Sequence, residues 1–141
     1  MTSSEPLTPP GAAPGPALAV VAGHGSFANG MISAVQQISG AGHRFHGVSN
    51  TALTPVALLE ALRTAVLVTT ARVIFTDLPA GSCTIAARRL AREQPGLQVV
   101  TGANLPILLT FAMGADFPEA IDRAVEKARV ALGVPADPAA R

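Results

Sequence analysis

The stretch Ala17-Leu18-Ala19-Val20-Val21-Ala22-Gly23-His24-Gly25 is a short apolar run that stops at a histidine flanked by glycines. An unbroken apolar run of this length, without polar alternation, is the pattern of a strand buried on both faces, as in a parallel sheet. Immediately afterwards the period changes. From Phe27 to Ser39 the residues Ala28, Met31, Ile32, Val35 and Ile38 recur at spacings of three and four, one stripe along a helix, and Gly40 and Gly42 end it.

The alternation continues downstream. Phe45 to Val48 is a second, weaker strand, and Thr54-Pro55 supplies an N-cap and a first-turn proline for a helix that turns Leu58, Leu59, Leu62 and Val66 inward. Val73 to Phe75 is a third strand, and Ile85 to Arg92 a helix closed by Pro95-Gly96. Leu97 to Thr101 is a fourth strand, followed by the loop Gly102 to Pro106 and a short apolar helix from Pro106. A last amphipathic helix carries Ile121, Val125, Ala128 and Leu132 on one face and ends at Gly133. Strands alternating with helices over short connections predict an α/β fold, a mainly parallel four-stranded sheet with right-handed crossovers and helices on both faces. Residues Met1 to Pro16, rich in Pro, Gly, Ser and Ala, read as a disordered extension. That leaves one folded domain over 17–133 and a proline-rich tail over 134–141.

Composition narrows the function. With 49% hydrophobic and 13% charged residues, the 141-residue chain has ample material for one core. The formal net charge is +1 and the basic residues form no run, so nucleic acid is not an expected partner. Five Phe with no Trp or Tyr leave few platforms for stacking bases or sugar rings, which weighs against direct sugar binding. Cys83 has no cysteine to pair with, and no secretory leader pattern opens the chain, so it reads as cytoplasmic. Apolar stretches such as Val66 to Val68 and Ile107 to Leu109 fall far short of the roughly 20 residues that span a bilayer, so direct membrane insertion is not expected. The phosphate-binding loop and dinucleotide fingerprints are absent, and His43 and His46 lack a third ligand, so no cofactor and no metal are expected.

In parallel sheets, sites form outside the carboxyl ends of the strands. That rule selects three loops, those holding His24, Asp77 to Ser82, and Asn104. Between two glycines the His24 backbone can turn tightly and a bulky group can approach the imidazole. A neutral imidazole attacks through its unprotonated nitrogen, and a carboxylate on the other N–H fixes the tautomer and stabilises the cation that forms. Asp77 is the best-placed carboxylate. Ala80-Gly81-Ser82 opens a helix, where free N–H groups and the dipole favour phosphoryl oxygens, with the Ser82 hydroxyl a further donor. Blander roles stand beside these: a structural glycine-turn histidine, a turn aspartate, an N-capping Ser82 and an N-capping Asn104, the last favoured. His43 and His46 read as surface residues, and Cys83 as a small buried hydrophobe.

Three segments carry a family resemblance: Gly23-His24-Gly25-Ser26-Phe27-Ala28-Asn29-Gly30, Phe75-Thr76-Asp77-Leu78-Pro79-Ala80-Gly81-Ser82, and Thr101 to Leu109. In their order and separation they resemble the enzyme IIA component of the mannose/fructose/sorbose/N-acetylgalactosamine family of the bacterial phosphotransferase system (PTS), over about Ala17 to Leu132. The resemblance implies a phosphohistidine on His24, phosphate taken from the phosphocarrier HPr and passed to a IIB component for sugar uptake. It implies that Asp77 orients the ring and Ser82 contacts the phosphoryl group, with Gly25, Ser26 and Gly81 around it, and that Phe27, Leu78 and Pro79 border the partner surface. It also implies a fifth, antiparallel edge strand and a homodimer formed by exchanging a C-terminal strand. Where the family carries Gly-Gly-Ser-Pro-x-Asn, this chain reads Ala80-Gly81-Ser82-Cys83-Thr84-Ile85.

Two other functions share some of these features. A regulatory IIA-like protein that senses phosphorylation state would keep the same site. The Gly23 to Ser26 opening also resembles small sirohydrochlorin-type chelatases, which insert metal into a tetrapyrrole; these use a second histidine in the later half, and here none follows His46.

Overall fold

A computed structural model describes residues 17–114 and 119–136. The expected extension, Met1 to Pro16, lies outside the described residues, as does the end of the tail, 137–141. In chain order the elements are β1 (Ala19–Gly23), α1 (Phe27–Ser39), a 3₁₀ turn (Gly42–Arg44), β2 (Phe45–Ser49), α2 (Pro55–Thr69), β3 (Val73–Thr76), α3 (Ser82–Glu93), β4 (Gln98–Val100), α4 (Leu105–Gly114) and α5 (Ala120–Ala131). The four strands form one parallel sheet in the order β2-β1-β3-β4. Among the described residues there is no fifth strand.

Because strand side chains alternate, β1 and β3 each feed two cores. Ala19, Val21, Val73 and Phe75 face α1, α4 and α5. Val20, Ala22 and Ile74 face α2 and α3. The first core holds the aromatic mass, with Phe45, Phe75 and Phe111 in mutual contact at centroid separations of 5.3–6.4 Å. The second is aliphatic, built on Leu58, Leu59, Leu62, Val66 and Leu90, so the inward stripe expected for α2 is the one observed. The α2 cap also forms as expected, with Thr54 Oγ1 accepting from Ala57 N at 3.1 Å and Pro55 in the first turn.

Two residues depart from their predicted stripes. Ile38, in the last turn of α1, is 61% exposed, because it lies at the edge of an arc centred on Ala28 and Val35. Leu132 is 85% exposed: α5 ends at Ala131 and Leu132 has extended backbone, so the helical spacing no longer governs it. One boundary also matters for function. Helix α3 begins at Ser82, as Ala80-Gly81-Ser82 suggested and ahead of the apolar stripe from Ile85, and its cap is Gly81 at φ +129°, where a non-glycine residue would be strained.

Candidate functional site

The strand order reverses between β1 and β3, which opens a crevice at their carboxyl ends, where open α/β sheets place their ligands. Ala22 is in register with Thr76, so the chains leave the sheet side by side and bring His24 to Asp77. One carboxylate oxygen makes both contacts. Asp77 Oδ2 accepts from the His24 backbone N–H at 2.9 Å and lies 2.7 Å from His24 Nδ1. An ionised carboxylate only accepts, so Nδ1 carries the proton in this pair, and in the neutral ring Nε2 then keeps its lone pair. The His24 side chain is 52% exposed and that of Asp77 10%. Burial pushes the Asp77 carboxyl up, but the His24 ring bond, its backbone N–H and its charge outweigh this and hold the carboxyl below its ordinary value.

The glycines around His24 have separate reasons. A Cβ on Gly23 would meet Phe27 Cδ2 at 2.5 Å, so close packing of the Phe27 ring excludes any side chain there. Gly25 has open space around it but a φ of +54°, and the turn is closed by Phe27 N donating to His24 O at 3.0 Å. Ser26 precedes α1 without a side-chain capping bond, which leaves its exposed hydroxyl available at the site. Phe27 is half-buried and packs against the first core, so its ring belongs mainly to the interior.

Beneath the loop after β3 lies a pair of buried hydroxyls that the sequence did not advertise. Thr84 Oγ1 donates to Leu78 O at 2.6 Å and lies 2.7 Å from Thr76 Oγ1, tying α3 to the turn that carries Asp77. Leu78 is 48% exposed and Pro79 is exposed, at the rim of the crevice. The His24 ring stands over the start of α3, its Cε1 3.7 Å from where a Gly81 Cβ would be. Ser82 occupies the first position of the helix and does not cap it; its Oγ accepts from Asn50 Nδ2 at 2.8 Å. Cys83 is fully buried, and burial, followed by the Asp77 charge, pushes its thiol up to about 11 against a lowering by the Ser82 hydroxyl. It is therefore an inert packing residue, as expected.

Two of the three loops selected from the sequence meet, those of His24 and of Asp77 to Ser82, bringing Gly25, Ser26, Gly81 and Ser82 to the same end of the sheet. The third does not. Asn104 Oδ1 accepts from Ile107 N at 3.0 Å and its Nδ2 donates to Ala128 O at 3.4 Å, so it caps α4 and ties that helix to α5. Its place is taken by Asn50, just past β2, which the strand-end rule could have selected but for the weakness of the β2 signal. His43 and His46 are exposed. Among the described residues no three His, Cys, Asp or Glu side chains gather as a metal site, and no helix is long and apolar enough to cross a membrane.

Fold and site together define a three-layer parallel α/β protein with a carboxylate-oriented histidine at its switch point. Residues 19–129 match the family model described as the PTS system fructose IIA component, and the chain belongs to that family. Its fold is that of solved mannose-type IIA proteins. The IIA protein associated with the fucose utilization operon of Streptococcus pneumoniae superposes with a TM-score of 0.76 at 22% identity, over 87% of this chain and 96% of that one. The mannose/sorbose-specific IIA subunit from Enterococcus faecalis gives 0.72 at 19% identity, over 88% and 97%. A sigma-54 interaction domain protein from Enterococcus faecalis gives 0.62 at 18% identity, over 83% and 93%. Comparison with curated proteins finds no match.

Proposed function

We propose that this chain is a phosphoryl carrier that takes a phosphoryl group from HPr onto Nε2 of His24 and passes it to a IIB component during sugar uptake. The observation that carries this is the 2.7 Å contact between His24 Nδ1 and a shielded Asp77 oxygen, which leaves Nε2 as the nucleophile on the half-exposed face of the ring. On transfer, the Nε2 lone pair forms the new N–P bond as the donor's N–P bond breaks, and the donor imidazole recovers its electron pair. The positive charge then on the His24 ring is held by the Nδ1–H bond to Asp77. Ser26, Ser82 and the free N–H groups of Gly25, Gly81 and Ser82 are suited to the phosphoryl oxygens. Leu78 and Pro79 give both partners an apolar rim to dock on.

Incubation with phosphoenolpyruvate, enzyme I and HPr, followed by intact-mass measurement, tests this. One acid-labile phosphoryl group is expected on the wild type and none on His24→Ala. A wild type that gains nothing from a matched donor system would overturn the proposal. A regulatory role is favoured by one observation, the similarity to the sigma-54 interaction domain protein. It predicts the same labelling on His24 without onward transfer to any IIB component.

A further inference from the structure

Asn50 lies one residue beyond β2, on the strand beside β1, and its backbone is fixed from several sides. Its N–H donates to Gly23 O at 3.2 Å, the carbonyl just before His24, and its carbonyl accepts from Leu53 N at 3.1 Å. The flanking residues are clasped to each other, Thr51 N donating to Ser49 Oγ at 3.1 Å and Ser49 Oγ to Thr51 Oγ1 at 2.9 Å. From this braced turn Nδ2 reaches Ser82 Oγ at 2.8 Å, across 32 residues of sequence.

The direction of that bond decides what Ser82 can do. An amide nitrogen only donates, so Ser82 Oγ uses a lone pair there and keeps its proton to give elsewhere. At the first position of a helix the neighbouring backbone groups are unpaired N–H donors, which cannot take it. The adjacent Cys83 sulfur is a weak acceptor, whereas a charged phosphoryl oxygen is a strong one. His24 stands over Gly81, the residue before Ser82, so a group on its ring sits at the helix start that carries this hydroxyl. We infer that Asn50 is a positioning residue of the phosphoryl site: by donating to Ser82 Oγ, it aims the Ser82 hydroxyl proton at the phosphoryl group on His24. This rests on the carrier function proposed above. Asn50 thereby joins the loop after β2 to those after β1 and β3 in one anion-binding cluster.

The test uses potassium phosphoramidate, a small N-phosphoryl donor, so that partner docking does not enter. Labelling rates and the rate of phosphohistidine hydrolysis at fixed pH are measured for wild type, Asn50→Ala, Asn50→Asp, Ser82→Ala and the Asn50→Ala/Ser82→Ala double variant. Asn50→Ala is expected to label about tenfold more slowly, the effect of one lost orienting hydrogen bond. Asn50→Asp, near in shape but an acceptor that captures the Ser82 proton, is expected to be slower still, and it carries the test if the alanine variant folds poorly. In the Ser82→Ala background, Asn50→Ala should cause no further slowing. A brace with no part in the chemistry would instead lower the thermal midpoint and leave the ³¹P shift and hydrolysis rate of the phosphohistidine unchanged. That result, wild-type labelling by Asn50→Ala, or losses that multiply in the double variant would overturn the inference. Wild type labelled neither by phosphoramidate nor by HPr would overturn the carrier function itself, a result distinct from any of these.

Discussion

Two of the bonds that hold His24 end on one oxygen atom. Asp77 Oδ2 takes both the backbone N–H and the ring Nδ1, so Asp77→Asn disturbs the tautomer and the loop together. Transfer to His24 in that variant is expected to slow by about 10²- to 10⁴-fold, read as the initial rate of labelling; an unchanged rate would remove Asp77 from the site. Stability should follow pH with a definite sign. Because the folded carboxyl lies below its ordinary 3.8, the stability it contributes is complete above that value and is lost as pH falls through the folded value. Urea denaturation is therefore expected to show a gap between wild type and Asp77→Asn that narrows as the pH falls below 3.8. At Gly23 the effect is steric: alanine places a Cβ 2.5 Å from Phe27 Cδ2, which should destabilise by about 1–3 kcal/mol on the same measurement. His24 and Asp77 were legible in the sequence because strand ends can be read from apolar runs that stop at polar or glycine residues. Asn50 was not. The β2 run before it is a weak strand signal, and no glycine marks the turn after it, where Ala52 has φ +61°.

The elements were legible in type and order, and their ends less so. Helix α3 starts at Ser82, the opening that Ala80-Gly81-Ser82 suggested, and Thr84 in its first turn satisfies Leu78 O and meets Thr76, contacts that the apolar stripe from Ile85 did not signal. Thr84→Val would strip those buried groups of a partner and is expected to destabilise by about 1–3 kcal/mol, with Thr84→Ser restoring most of it. Helix α2 ends less comfortably, at Thr70 with φ +56°, where a β-branched side chain crowds the backbone and glycine is the usual occupant. Thr70→Gly is expected to stabilise the protein by about 0.5–1 kcal/mol, visible as a raised thermal midpoint with no change in labelling rate.

At the scale of the molecule, the two faces of the sheet have unequal cores. One holds the Phe45, Phe75 and Phe111 contact, and truncating fully buried Phe75 to alanine should cost about 3–5 kcal/mol, a large share of the stability of a domain this size. At the carboxyl end of the strands, the exposed Leu78 rim gives a test of docking separate from chemistry. Leu78→Asp is expected to slow labelling by HPr while leaving labelling by phosphoramidate unchanged, and equal slowing with both donors would count against a docking role. The anchoring of His24 by main chain and ring to a strand-end carboxylate also has a kinetic consequence. In the carrier function proposed above, an imidazole held this way is not on a swinging arm, so donor and acceptor are expected to occupy the same ground in turn rather than together. Steady-state transfer is expected to give parallel double-reciprocal lines, the ping-pong pattern, with unphosphorylated donor competing against the acceptor for the charged carrier.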